Sequence, residues 1–296
     1  MNRGVLYALA AFGFWGLFPL YWKQLSFVPP EQQVGHRILW SFLLLLLAMP
    51  IGNRGREVLK ALRTPRLCRI YLGSALLLGI NWGVYLWAIK HDFIVEASLG
   101  YFINPLLNVL LGVVFLHERL RRWQWIAVGL AGVGVLYLTI VYGSLPWIGL
   151  TLAAAFGLYG LVRKIAPLGS INGLTLEMGI LFVPTLAFMV FADTKGQGAF
   201  LHAGLRADLF MIGAGVVTTV PLLLFTAAAR RIPLSLIGII QYITPTGQFL
   251  LGVLLYNEPF TGDRAIGFTI IWIALAVFAV EGLVSQRRAK PCKANV

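Results

Sequence analysis

Two octapeptides lie 144 residues apart: AAFGFWGL at residues 10–17 and AAFGLYGL at 154–161. Six of their eight positions are identical. A second, unlike pair matches at an offset of 140. INPLLNVLLGVVFLHE (103–118) and ITPTGQFLLGVLLYNE (243–258) align Pro105 with Pro245, Leu111-Gly112 with Leu251-Gly252, and Glu118 with Glu258. Apolar composition alone does not place two different matches in the same order at nearly the same offset. The chain therefore reads as an internal duplication, with four residues gained or lost between the first and second segments of a half.

The contents of each copy follow from the solvent the sequence suits. The 296 residues are 59% hydrophobic and 12% charged, about half the charge that a water-facing surface carries. Runs such as SFLLLLLAMPIG, YLGSALLLGINWGVYLWAI and FTIIWIALAVFAVEGL approach the ~20 apolar residues that cross a hydrocarbon core. Ten spans are predicted, at 3–24, 32–51, 70–90, 95–116, 123–142, 146–164, 172–192, 208–229, 233–255 and 263–284. Phe14, Trp15 and Pro19 interrupt the first, and no small-residue cleavage site follows, so it reads as a span and not a signal peptide. The expected fold is an all-α integral membrane protein with ten transmembrane helices in two five-helix repeats. The repeats are 1–142 and 143–286, followed by a basic tail, 287–296.

The net charge of +13 reads as orientation, and nucleic acid is not an expected partner. With the N-terminus in the cytoplasm, eighteen of the 24 Lys and Arg fall on one side of this topology, among them Arg3, the run Arg54 to Arg69, Arg119 to Arg122, Arg163, Lys164, Arg230 and Arg231. That asymmetry is the positive-inside pattern. It places both termini in the cytoplasm, in a bacterial inner (plasma) membrane. Cys68 and Cys292 fall on the same side and read as reduced thiols. Five spans is an odd number, so two consecutive copies enter the membrane in opposite senses. Inverted repeats of this kind support alternating access.

The paired halves, with a Pro in the fourth helix of each and ends reading LGVVFLHERLRRWQWIAVGL and LGVLLYNEPFTGDRAIGF, resemble the EamA repeats of the drug/metabolite transporter superfamily. The stretches SLGYFINPLLNVLLG and VGHRILWSF resemble its RarD branch, called chloramphenicol-sensitive proteins. The resemblance spans roughly residues 3–284. It implies a permease for a small organic solute, a metabolite or an amphipathic drug such as chloramphenicol.

Polar groups inside a bilayer are costly and therefore informative. Arg37 lies about six residues into the second span, and Glu177 stands at the same 140 offset in the seventh. One reading puts both in a central cavity, Arg37 attracting an anionic group and Glu177 engaging an amine or a proton. The other has Arg37 snorkelling to the outer headgroups and Glu177 paired with Arg163 or Lys164. Pro105 and Pro245 are expected near the bilayer centre as helix kinks. Each frees the carbonyl four residues earlier, at Tyr101 and Gln241, beside Asn104, Tyr242, Thr244 and Gln248. Those groups bind cargo or are satisfied within the protein. Trp15 and its equivalent Tyr159, with Asn81, Trp82 and Tyr85, complete the candidate substrate-binding set. Trp22, Trp123, Trp125 and Trp147 are assigned to the interfacial belt or the lipid face. Glu118 and Glu258 are read as turn anchors, and glycine pairs such as Gly79 with Gly83 and Gly13 with Gly16 as close-packing positions.

No Walker A sequence, zinc-protease motif or serine-hydrolase elbow occurs. The expectation is a secondary-active or facilitative carrier without catalytic residues, metal or cofactor. Its partners are a small-molecule substrate, the lipid bilayer and, where Glu177 titrates, a proton. A complete pathway in one chain makes a monomer the default. The alternatives are a non-transporting assembly or signalling subunit and an intramembrane enzyme.

Overall fold

The computed structural model describes residues 2–50, 53–91, 93–143, 146–256 and 262–289. Among them all regular structure is helical: α1 (Arg3–Gly16), α2 (Phe18–Trp22), a 3-10 turn (Lys23–Leu25), α3 (Pro30–Leu47), α4 (Arg54–Leu62), α5 (Pro65–Lys90), α6 (Ile94–Leu116) and α7 (Arg122–Tyr142) form the first half. The second half holds α8 (Trp147–Ile165), α9 (Ser170–Thr194), α10 (Leu205–Ala229), α11 (Leu234–Gln241), α12 (Ile243–Leu255) and α13 (Gly262–Ala289). Glu258, Cys292 and the tail from residue 290 lie outside the described residues.

Nine helical stretches among the described residues are long and apolar enough to cross a membrane, and each coincides with an expected span. The tenth expected span, 32–51, corresponds to α3, whose first two turns carry Glu31, Gln32, Gln33, His36 and Arg37. That polar half is what keeps α3 below the others in apolarity. Several of its groups are bonded inside the protein. Gln33 Nε2 donates to the carbonyls of Leu25 and Val28 at 2.9 and 2.8 Å. Gln32 accepts from the Ala199 backbone N–H at 2.8 Å and donates to the Gln197 carbonyl.

Two expected spans are broken helices. The first turns at Leu17, between α1 and α2, where Pro19 denies the Trp15 carbonyl its partner four residues on. The ninth breaks at Tyr242, between α11 and α12, three residues before Pro245. By contrast α6 runs uninterrupted through Pro105. The basic segment 54–69, read from sequence as a loop, contains α4. Val58 and Ala61 are buried, against a cluster that includes Tyr71, Ala166 and Leu176, while Arg56, Lys60 and Leu62 remain outward. A charged segment with one narrow apolar face suits the membrane interface.

The packing follows the duplication. Helices α1, α3, α5, α6 and α7 have α8, α9, α10, α11–α12 and α13 as counterparts. Helix α1 packs on α10 as α8 packs on α5, and α6 packs on α8 as α11 and α12 pack on α1. Helix α3 packs on α10 as α9 packs on α5, while α3 with α9, α6 with α11 and α7 with α13 meet their own counterparts. The contact pattern is thus a pseudo-twofold, and each half builds its interior largely against the other. Small residues make the close crossings. The Gly16 and Gly247 backbones nearly touch. A Cβ on Gly215 would strike the Trp40 backbone carbon at 2.5 Å, and Ser41 Oγ donates to the Gly215 carbonyl there at 3.1 Å.

The ends of the bundle are defined by contacts between its turns. At the basic end, Arg230 donates to the carbonyls of Ala166 and Leu168, and Lys164 to those of Ala229 and Ile232. At the opposite end, Lys90 pairs with Glu31 at 2.8 Å, and Arg206 donates to Gln24 at 3.0 Å.

Candidate functional site

A cavity of about 330 Å³ opens in the half of the bundle away from the basic end. Its wall is drawn from both repeats at equivalent positions: Phe12 with Phe156, Trp82 with Leu222, Tyr101 with Gln241, and Asn104 with Thr244. The cavity therefore straddles the pseudo-twofold. Nine of the twelve candidate substrate-binding residues line it: Trp15, Arg37, Asn81, Trp82, Tyr85, Tyr101, Asn104, Gln241 and Thr244.

Arg37 is the only charged residue among the described residues of the lining. Its Nε donates to Thr218 Oγ1 at 3.1 Å. The guanidinium carbon lies 4.5 Å from the Trp82 ring, 5.1 Å from Trp22 and 6.0 Å from Phe18. No carboxylate pairs with Arg37 among the described residues. Aromatic faces stabilise a cation in this arrangement without neutralising it, so the remaining N–H donors are left for an anion. Trp22, assigned from sequence to the interfacial belt, belongs to this cage. Trp123, Trp125 and Trp147 are outward, with 63% of Trp123 exposed.

The floor is a carboxamide cluster joining the halves. Asn108 donates to Asn104 Oδ1 at 3.0 Å and to Gln241 Oε1 at 2.7 Å, and Gln241 donates to Asn104 Oδ1 at 2.8 Å. Asn104 Nδ2 is spent on the Ala153 carbonyl and Asn81 Nδ2 on that of Leu152. Along the side, Thr244 donates to the Phe12 carbonyl at 2.9 Å, and Gln248 to the Trp15 carbonyl that Pro19 leaves free, at 3.2 Å. An internal donor thus replaces the missing helix bond. Above the floor, the rings of Tyr85 and Tyr101 meet edge-on at 6.3 Å.

Three candidates lie elsewhere. Tyr242 is fully buried and donates to the Phe102 carbonyl at 3.2 Å. Tyr159 and Glu177 belong to a fully buried cluster on the basic side of the cavity. Glu177 accepts from Ser74 Oγ at 2.6 Å and from the Tyr159 hydroxyl at 3.1 Å. It also pairs with Arg163 at 3.4 Å, both side chains 0% exposed. The reading that sets Arg37 and Glu177 in one cavity is corrected here, and the pairing of Glu177 with Arg163 is the arrangement found. The cause is depth. Inverted counterparts lie on opposite sides of the midplane.

Beyond that cluster the turns of the basic end are bonded to one another. Helix α6 ends on His117, whose φ of 52° reverses the chain. Glu118 then caps α11 in the other repeat, accepting from the Leu234 and Ser235 backbone N–H groups at 2.7 and 2.9 Å. It anchors a turn, as expected, but the turn belongs to the opposite half. Among the glycine pairs, Gly16, Gly79, Gly157 and Gly160 meet neighbouring helices, whereas Gly13 and Gly83 face open space.

Sequence reasoning passed over Phe12, Phe156, Phe18, Leu222 and Thr218. Phe12 and Phe156 were visible in it, since they occupy the same place in the two octapeptides. Thr218 carried no such signal. Among the described residues no group of three or more His, Cys, Asp or Glu is arranged to hold a metal ion.

A model of the EamA-like transporter family matches residues 2–140 and 145–280. A Vibrio cholerae protein called "Uncharacterized transporter" is 44% identical over 290 residues, covering 98% of this chain and 96% of that one. "Protein RarD" of Escherichia coli is 43% identical and covers 97% of each chain. "Chloramphenicol-sensitive protein RarD" of Pseudomonas aeruginosa is 31% identical, covering 93% and 92%. A crystal structure 19% identical in sequence superposes with a TM-score of 0.71 over 94% of this chain and 98% of its own, a likeness of fold.

Proposed function

The chain belongs to the EamA-like transporter family, and from that premise we propose that it carries a small organic solute with an apolar or aromatic body and an anionic group, by alternating access between its two halves. The observation that carries this reading is Arg37: a guanidinium caged by Trp22 and Trp82 in a cavity with no acidic side chain among the described residues of its lining. A carboxylate would meet its free donors, while Phe12, Trp15 and Phe156 would cover the body of the solute. An amine has no acid to meet there among the described residues, since Glu177 is paired with Arg163.

The cavity lies away from the basic end. With the arginine-rich side in the cytoplasm of a bacterial inner membrane, this conformation faces outward and the Glu177 and Glu118 layers form the inner closure. In the opposite state the counterpart position, Glu177, would take the place that Arg37 holds here. Any coupled proton is assigned to Glu177, whose release from Arg163 accompanies the change of state. One chain supplies the whole pathway, and a monomer is the functional unit.

Proteoliposome uptake tests the reading. The panel contains aromatic and aliphatic carboxylates, the matching amines, and phenicols, which the name of the Pseudomonas aeruginosa relative brings into scope. Carboxylates are expected to be bound and moved, with uptake lost in Arg37→Ala and weakened in Arg37→Lys, since Lys cannot offer a planar fork. Normal transport by both variants would overturn the anion assignment. Selective movement of neutral phenicols would replace it, leaving the carrier reading intact.

A further inference from the structure

A second concavity lies at the basic end, on the flank of the bundle between α1, α4, α9 and α10. It is separate from the solute cavity and shares no lining residue with it. Arg54 and Arg231 stand on its rim, and neither is paired with a carboxylate among the described residues. Arg54 donates to the Ala48 carbonyl at 3.1 Å and Arg231 to that of Ala227 at 2.8 Å, which anchors each side chain without neutralising it. Arg231 also lies over the Tyr7 ring at 5.3 Å.

Gly169, Ser170, Ile171 and Asn172, the N-terminus of the 25-residue helix α9, form another wall. No side chain caps that terminus, so its first N–H groups and the positive end of the helix dipole are available to an anion. Asn172 supplies an independent indication. It is 6% exposed, lines the same groove, and its Oδ1 has no hydrogen-bond partner. Its Nδ2 is already used on Glu57 of α4. A buried acceptor without a partner in the protein leaves a place for an outside donor. The groove then continues along α10 over Leu223, Leu224 and Ala227. Leu223 is six residues inboard of the end of α10, a depth of roughly 9 Å at 1.5 Å per residue.

We infer that this groove holds a glycerophospholipid of the leaflet at the basic end. Its phosphate lies against Arg54, Arg231 and the N-terminus of α9, a headgroup ammonium or hydroxyl donates to Asn172 Oδ1, and an acyl chain follows α10. The chemistry selects a headgroup that can donate. Ethanolamine and glycerol qualify, and choline, which has neither N–H nor O–H, does not. Glu57 beside Asn172 adds attraction for the ethanolamine ammonium. A free phosphate would satisfy the arginines but leave the Leu223 and Leu224 surface uncovered.

The full-length protein in phosphatidylcholine nanodiscs, doped in turn with phosphatidylethanolamine or phosphatidylglycerol, tests this. The readouts are lipid retained on the protein by native mass spectrometry and the thermal midpoint. Phosphatidylethanolamine and phosphatidylglycerol are expected to be retained about tenfold over phosphatidylcholine and to raise the midpoint. The Arg54→Gln/Arg231→Gln double variant should lose that retention, and Asn172→Leu should lose the discrimination against choline. Equal retention of all three lipids, an unchanged double variant, or the same midpoint shift from inorganic phosphate alone would overturn the assignment. The wild-type lipid comparison stands even where a variant fails to fold.

Discussion

Glu118 Oε2 accepts hydrogen bonds from both the backbone N–H and the hydroxyl of Ser235, at 2.9 and 2.7 Å, although the two residues belong to opposite repeats. Oε1 adds the N–H of Leu234, and Lys164 approaches at 3.8 Å. A helix of one half is therefore capped by the other half, at the basic end of the molecule. Gly112 leaves the room for it, since a Cβ there would lie 2.6 Å from Glu118 Oε2. The repeated spacing of Gly112 and Glu118, matched by Gly252 and Glu258, thus has a physical content in the first copy: a gap and the carboxylate that fills it.

Removing that carboxylate should loosen the closed end more than the fold. Glu118→Ala is expected to cost about 1 kcal/mol, the usual value of a helix N-cap, and Gly112→Ala a similar amount by displacing the carboxylate. A cysteine placed at Leu236, one turn into α11, should be alkylated faster from the basic side in Glu118→Ala than in the parent. Equal rates would show that the cap does not hold the closure.

The Arg163–Glu177 pair carries a larger penalty when broken singly. Both side chains are fully buried, and Arg163 Nε has no partner. Glu177→Ala should destabilise by about 3–5 kcal/mol through the uncompensated guanidinium. The Arg163→Met/Glu177→Leu double variant should recover much of that in thermal unfolding. If the double variant is no more stable than Glu177→Ala, the pair is not what the single variant loses. Gly173→Ala gives an independent check, because its Cβ would collide with Arg163 Nη1.

Trp22 and Trp123 separate the legible from the illegible part of the site. Both sit near predicted span ends, and sequence alone assigns both to the interfacial belt. Trp22 instead lies 5.1 Å from the Arg37 guanidinium because α1 breaks at Leu17 and α2 brings it over α3. Trp22→Ala should weaken solute binding about 2- to 30-fold, the equivalent of a cation–π contact of roughly 0.5–2 kcal/mol. Trp123→Ala should leave binding unchanged. The same limit explains Glu177. Duplicated motifs give equivalent positions and hence the pseudo-twofold, and they single out Arg37 and Glu177 as a pair. They carry no information on which member of that pair lines the cavity, and in the structure it is Arg37.

The Trp15 carbonyl offers a test of how the broken first span is stabilised. Pro19 removes the N–H that would normally bond it, and Gln248 of the other repeat donates instead at 3.2 Å. Gln248→Leu should therefore destabilise by about 1 kcal/mol, the usual worth of one such hydrogen bond. Pro19→Ala restores a backbone N–H four residues after Trp15, so it should rescue Gln248→Leu while doing little to the parent protein. Additive losses in the double variant would mean that Gln248 matters for packing and not for that carbonyl. Rescue would show that the two halves are stitched at the cavity wall by a bond that the helix break itself makes necessary.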